Sequence, residues 1–204
     1  MATRPALRLL ILLLAVAAIV GAAAIYLRAA RLPQGNLSGA AIGGEFALVD
    51  ETGAPVSWSG FDGQWRLVYF GFTFCPDVCP VSTANLGAGL ARFEAEHPRR
   101  GAIVLPLFVT VDPERDTPQV LAEFTSHFHP RLLGLTGTPD AVAAALKAFR
   151  VYARRQEGAT DGSYLVDHSD AIYLFDTAGR PVAFLPGPES SPEAVAALLD
   201  THVR

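Results

Sequence analysis

The chain of 204 residues predicts an α/β domain with an N-terminal β-hairpin, preceded by one transmembrane helix. Three observations predict this. Short apolar runs alternate with helical stretches through the middle of the chain. The order then closes on an antiparallel strand pair and a last helix. And Leu9 to Leu27, nineteen residues, carry no charge. Alternating strands and helices suit a mixed sheet with helices on both faces.

The anchor comes first. A helix of nineteen residues is roughly 28 Å long at about 1.5 Å per residue, near the bilayer hydrocarbon thickness of about 30 Å. Arg4 and Arg8 precede the run, and Arg28 and Arg31 follow it. The flanking charges balance, and the N-terminal amine tips the expected orientation to N-terminus inside, bulk of the chain outside. A cleaved signal peptide is the alternative, with Ala22-Ala23-Ala24 as a small-residue cleavage site. The run is longer than a usual signal core, which favours an anchor. No cysteine stands after it for lipid attachment. The expected organisation is an anchor or uncleaved signal over 1–31, a linker rich in Gly, Pro, Ser and Ala over 32–43, and one domain over 44–204.

Charge narrows the function. The net charge is −4, and residues 1–31 hold four arginines and no acids. The remainder therefore carries 12 Lys+Arg and 20 Asp+Glu, a net of −8. An acidic exported domain argues against nucleic acid or anionic lipid as a partner and is compatible with a basic protein patch or with cations.

The elements follow in order. Phe46 to Asp50 and Pro55 to Trp58, joined by Glu51-Thr52-Gly53-Ala54, read as a hairpin. Arg66 to Phe72 and Ile103 to Val111 are apolar runs expected as buried strands, and Leu132 to Leu135 as a short third one. Ala171–Phe175 and Pro181–Leu185 flank the turn signal Asp176-Thr177-Ala178-Gly179 and read as an antiparallel pair. Four helices are expected to begin with Pro at the first helical position, at Cys79-Pro80, Thr117-Pro118, Thr138-Pro139 and Ser191-Pro192, with Thr117, Thr138 and Ser191 as capping hydroxyls. Behind them, Leu86/Leu90/Phe93, Val120/Phe124/Phe128, Val142/Leu146/Phe149 and Val195/Leu198/Leu199 recur at helical spacing. This order is that of thioredoxin-like folds.

Cys75 and Cys79 are the only cysteines. They lie at the expected strand-to-helix turn and read as a disulfide, a redox couple or half of a metal site. A bridge across so short a loop removes little unfolded-state entropy, so a stabilising staple is disfavoured. The spacer is three residues, where the common dithiol motif has two. Pro76 and Pro80 bias both cysteines to extended backbone. Cys79 is therefore expected near a helix N-cap, where the dipole favours thiolate.

Two thiolates do not fill most metal shells. Of the five histidines, His97 and His202 read as solvated terminal residues, and His127 and His129 as residues at a helix end. His168 differs. It stands in Asp167-His168-Ser169-Asp170, just before an apolar strand, where a strand-edge loop can approach a strand-to-helix turn. Neighbouring carboxylates can accept a proton from one imidazole nitrogen and aim the other. A surface histidine among acids is the alternative. A Cys₂His set without a fourth ligand suits a soft or borderline ion and leaves a shell open for handing it on.

With these residues in view, the sequence resembles the Sco/SenC family of copper chaperones. The resemblance runs from about Gly44 to Phe184. Gly71-Phe72-Thr73-Phe74-Cys75-Pro76-Asp77-Val78-Cys79-Pro80 is similar to the family's metal-binding motif. Val111-Asp112-Pro113-Glu114-Arg115-Asp116-Thr117-Pro118 is similar to its second signature, and Gly134–Gly137 and Tyr164–Ser169 complete the set. The resemblance implies a thioredoxin-like fold tethered to the inner membrane and facing the periplasm. It implies copper, Cu(I) or Cu(II), on Cys75, Cys79 and His168. The partner it implies is cytochrome c oxidase subunit II or a related subunit, whose CuA centre receives copper or has its thiols prepared. A copper donor and a thiol reductant are implied as well.

Asp77, Asp167, Arg115 and Asp116 are candidates for orienting the site or contacting a partner. Asp77 otherwise reads as a solvent-facing turn residue, and Arg115 with Asp116 as a helix start with a local ion pair. Tyr164 and Phe72 read as packing residues. The expected role is a metallochaperone rather than an enzyme. The alternatives are a thiol–disulfide oxidoreductase, or a redox or copper sensor, using Cys75 and Cys79.

Overall fold

The computed structural model describes residues 11–17, 19–21, 35–156 and 164–204. The chain divides into two units, Met1–Pro33 and Gln34–Arg204. In the first, residues 11–17 and 19–21 are helical, with Ile11, Leu14 and Ile19 exposed. The expected span Leu9 to Leu27 lies partly outside the described residues, and among the described residues no helix is long and apolar enough to cross a membrane.

The second unit is built on an eight-stranded mixed sheet. Its strands are β1 (Gly35–Asn36), β2 (Ala47–Asp50), β3 (Pro55–Ser57), β4 (Trp65–Gly71), β5 (Val104–Thr110), β6 (Leu133–Thr136), β9 (Ala171–Phe175) and β10 (Pro181–Pro186). A separate two-stranded ribbon pairs β7 (Ala153–Gln156) with β8 (Leu165–His168). The sheet order is β1-β10-β9-β4-β5-β6-β2-β3. Neighbours β4, β5 and β6 run parallel, and the other pairs are antiparallel. The helices are α1 (Val78–Glu96), α2 (Pro98–Gly101), α3 (Pro118–Ser126), α4 (Pro139–Ala148) and α5 (Pro192–His202).

The central strands are apolar without alternation because both faces are covered. Leu67, Val68, Tyr69 and Phe70 of β4 are all at most 1% exposed. Successive side chains on a strand point to opposite faces. Phe70 meets Phe149, the residue that ends α4, with ring centroids 5.4 Å apart. Tyr69 points the other way, toward Phe108, which packs on Phe124 of α3. Helices therefore lie on both faces, as expected.

Three of the four expected helix starts hold. The hydroxyls of Thr117, Thr138 and Ser191 accept from the backbone N–H of Val120, Ala141 and Ala194, and Pro occupies the first turn of each helix. The fourth does not. Helix α1 begins at Val78 with Asp77 as its N-cap, so Pro80 is its third residue and Cys79 lies inside the first turn. A proline in the first turn gives up an N–H that has no helical partner, so the helix tolerates it there.

The expected hairpin is β2–β3 and the expected closing pair is β9–β10. Three strands carry no clear apolar signal. β1 is two residues in the expected linker, paired with Phe184 and Ala183 of β10. β7 reads Ala-Arg-Arg-Gln and is mostly exposed. β8 turns His168 from a loop residue into the last residue of a strand. The hydrophilic stretch 157–163 lies outside the described residues.

Candidate metal centre

Strand β4 delivers the chain to the turn Phe72–Cys75, closed by the Cys75 N–H donating to the Phe72 carbonyl at 3.3 Å. Pro76 and Asp77 follow, and α1 carries Cys79 inward until it is fully buried, while Cys75 stays half-buried. Both thiols are free. The ribbon strand β8 arrives from the other side and ends at His168.

These arms meet. Cys79 Sγ lies 3.1 Å from His168 Nε2. His168 Nδ1 lies 3.0 Å from the carbonyl oxygen of Ser169. A carbonyl only accepts, so the neutral ring carries its proton on Nδ1 and turns the Nε2 lone pair to the Cys79 thiol. The rings of Tyr69 and Phe72 stand edge-on to the imidazole at 6.2 and 5.9 Å.

This differs from expectation in two respects. The Ser169 backbone, not a carboxylate, orients His168. Asp167 instead accepts a hydrogen bond from Gln156 Nε2 at 2.5 Å. And the helix N-terminus serves Cys75, not Cys79. The backbone N–H of Cys79 points at Cys75 Sγ at 3.5 Å. Burial pushes the Cys79 thiol well above the usual range, so desolvation overrides the dipole there.

Cys75 and His168 line one pocket of about 240 Å³ with Phe72, Asp77, Val78, Leu165 and Asp167. Asp77 is exposed and makes no side-chain cap bond to α1. Among the described residues no group of three His, Cys, Asp and Glu side chains stands ready to hold a metal ion. Cys79 and His168 are drawn to each other instead.

The loop after β5 braces both arms. The fully buried Asp116 carboxylate accepts from the Thr73 N–H at 3.2 Å, the Thr73 hydroxyl at 2.6 Å and the Thr110 hydroxyl at 2.6 Å. That fixes the turn bearing Cys75. Arg115 Nε donates to Asp112 at 2.5 Å, and its Nη1 to the Tyr164 carbonyl at 3.0 Å. The Tyr164 hydroxyl donates to Asp112 at 2.7 Å. Arg115 and Arg155 each approach the Tyr164 ring to 3.6 Å. Tyr164 leads into β8, so this cluster fixes the strand bearing His168. Tyr164 and Phe72 pack, as expected, and Tyr164 also donates.

Asp170, the other carboxylate expected beside His168, bonds away from the imidazole. Its carboxylate accepts from the hydroxyls of buried Tyr69 and of Ser82, both at 3.1 Å. A Cβ on Gly187 would stand 1.7 Å from Asp170 Oδ2, so that carboxylate requires glycine opposite it. Its signal was position: it follows the histidine at the start of a buried strand. The other histidines stay away from the site. His97 sits 3.3 Å from Asp200, and buried His129 lies 3.4 Å from Glu94.

A parallel three-strand core flanked by helices, with a dithiol at a strand-to-helix turn, defines a thioredoxin-like domain in which Cys75 and His168 line one pocket and Cys79 is buried against His168. The chain belongs to the SCO1/SenC family, whose model matches residues 34–204. The mouse Protein SCO2 homolog, mitochondrial, is 42% identical over 165 residues, 80% of this chain and 64% of its own length. An Arabidopsis thaliana ScoI structure with copper bound has a TM-score of 0.72 at 37% identity, covering 78% of this chain and 97% of that one. A Bradyrhizobium japonicum ScoI structure with copper bound has a TM-score of 0.71 at 38% identity, covering 79% and 99%. The chain spans 64% of the mouse relative and 42% of the Arabidopsis thaliana Protein SCO1 homolog 1, mitochondrial.

Proposed function

We propose that the chain is a membrane-tethered copper chaperone that holds copper on Cys75, Cys79 and His168. The observation that carries this is the 3.1 Å approach of Cys79 Sγ to His168 Nε2, with Cys75 on the same pocket. Relatives of this fold at 37% and 38% identity were solved with copper bound. Two thiolates and one imidazole favour a soft or borderline ion.

The pocket as it stands suits the metal-free form. With metal–sulfur and metal–nitrogen distances of about 2.3 and 2.0 Å, a trigonal ion separates the two donors to roughly 3.7 Å. Cys79 and His168 must part by about half an ångström, and the thiol proton must leave. Asp116 and the Arg115–Asp112–Tyr164 cluster keep the two arms in register during that step. Copper then passes by ligand exchange, a partner thiolate displacing one of the three. The family resemblance supports the CuA site of cytochrome c oxidase subunit II as recipient, an N-terminal anchor in the inner membrane and a domain facing the periplasm. In such an oxidising compartment an external reductant keeps the thiols open.

The test is copper titration of the reduced protein beside His168→Ala, Cys75→Ser and Cys79→Ser. Wild type is expected to bind one copper, with sulfur-to-copper charge transfer in the Cu(II) form. Each variant is expected to lose at least about a hundredfold in affinity. Undiminished affinity in His168→Ala would overturn the assignment.

A second reading rests on the asymmetry of the thiols. Half-exposed Cys75 can attack a partner disulfide, releasing one partner thiolate and leaving a mixed disulfide. Buried Cys79 then attacks Cys75 Sγ, releasing the second partner thiolate and leaving the Cys75–Cys79 disulfide. Disulfide reduction surviving in His168→Ala, and lost in either Cys→Ser, would favour this role.

A further inference from the structure

We propose that the rim of the Cys75–His168 pocket is the docking face for a protein whose contact surface is apolar with a basic border. Its purpose rests on the copper hand-off proposed above, since ligand exchange needs direct contact. Its evidence is separate.

Among the described residues of the second unit, five large apolar side chains are exposed: Phe74, Val78, Val81, Tyr152 and Leu165, at 46–56%. Single exposed apolar residues scattered over a surface are ordinary. These are not scattered. Phe74 immediately precedes Cys75, and Val78 and Val81 stand on the first turn of α1 around Cys79. Leu165 is on β8 and lines the pocket with Val78. Tyr152 is tied to Ser169 twice, its N–H donating to the Ser169 hydroxyl and its carbonyl accepting from the Ser169 N–H, each at 3.0 Å. All five therefore lie on the two arms that bring Cys75, Cys79 and His168 together. Exposed apolar groups gathered at one end mark a contact surface.

Charge selects the partner. The pocket is lined by Asp77 and Asp167, and by no lysine or arginine. Arg154 and Arg155 line a separate hollow that shares Asp167, where Arg155 is paired with Glu114, and Arg115 beside Phe74 is paired with Asp112. A further hollow beside the pocket, about 150 Å³, is lined by Asp77, Val78, Val81, Ser82, Asp170, Gly187 and Pro188, again with carboxylates and no base. The chain beyond residue 31 has a net charge of −8. An anionic lipid surface is repelled by this rim, whereas a basic-bordered protein face is drawn to it. Two hollows between apolar ridges also fit protruding side chains rather than a flat bilayer.

The test uses the full chain in phosphatidylcholine nanodiscs, reduced and metal-free. The probes are two fluorescent peptides of equal length, each with two serines between leucines, one bordered by lysines and the other by glutamates. The lysine peptide is expected to bind, more weakly as salt rises, and the glutamate peptide is not. Val81→Ser/Tyr152→Ser is expected to weaken lysine-peptide binding at least about tenfold while leaving copper affinity unchanged, since neither side chain lines the Cys75–His168 pocket. Phe74→Ser, tested alone, is expected to act in the same direction. Equal binding of the two peptides, or unchanged binding by the double variant, would overturn the proposal. So would quenching of the tryptophan emission added by Tyr152→Trp when the nanodisc lipid is brominated, since the face would then lie on the bilayer. The serine peptides cannot take metal. Lysine-peptide binding by a chain that takes up no copper would sustain the docking face and sink the copper reading. Copper uptake without peptide binding would do the reverse.

Discussion

Cys79 Sγ and His168 Nε2 stand 3.1 Å apart although 89 positions separate them in the chain. One is buried at the first turn of a helix and the other ends a two-stranded ribbon. With the Nδ1 proton held by the Ser169 carbonyl, the imidazole offers one lone pair, and the Cys79 thiol takes it.

The two thiols are expected to differ in reactivity. Cys75 is half-buried, whereas Cys79 is fully buried with its thiol pushed up by desolvation. Alkylation of Cys79→Ser and Cys75→Ser variants, followed by mass spectrometry, should show Cys79 slower than Cys75 by about a hundredfold or more. Comparable rates would contradict this geometry.

Asp116→Asn should loosen the Cys75 turn. The carboxylate accepts from one backbone N–H and two hydroxyls, and an amide replaces one acceptor with a donor. A loss of about 1–3 kcal/mol in denaturant unfolding is expected. A loss of about tenfold or more in copper affinity should accompany it, as for other residues that orient a ligand. Unchanged copper affinity would show that the turn holds without Asp116.

Gly71→Ala tests the packing behind the site. A Cβ there would stand 2.7 Å from Tyr69 Cε1 and 3.3 Å from Cys79 Sγ. Tyr69 is fully buried, so it has nowhere to retreat. Overpacking of this kind costs about 1–3 kcal/mol. A thermal unfolding temperature equal to wild type would count against it.

His129 should make stability depend on pH. Burial lowers its pKa below the usual 6.5, against the pull of Glu94, with Arg131 adding to the lowering. A depressed base binds fewer protons folded than unfolded. Its contribution is therefore complete above 6.5 and is lost as pH falls through that value toward the folded pKa. The unfolding temperature should drop between about pH 7 and pH 5, and His129→Gln should flatten that slope. A wild-type slope preserved in His129→Gln would assign it to other groups.

Much of the fold was legible because its signals are local. The run Leu67–Phe70 is apolar because both faces are covered, and Thr117, Thr138 and Ser191 cap the helices their sequence announces. β7 was not legible: Ala153, Arg154, Arg155 and Gln156 show no apolar alternation, and the three polar residues stay exposed. At the site, the candidates Cys75, Cys79 and His168 stood out by residue type and motif. The bonds of Asp170 to Tyr69 and Ser82 did not, since they cross 101 and 88 positions.

The sequence by itself determined the class of the domain, the order of its main elements and the three residues worth watching. The element order follows from hydrophobic period and proline placement, Cys75 and Cys79 from the rarity of cysteine, and His168 mainly from the resemblance to the Sco/SenC family. The tertiary structure decided how those residues relate. It buried Cys79 where a dipole argument had favoured thiolate, gave the helix N–H to Cys75, and set a backbone carbonyl rather than Asp167 behind His168. Desolvation and hydrogen-bond partners depend on what folds over a residue, and no local pattern records that.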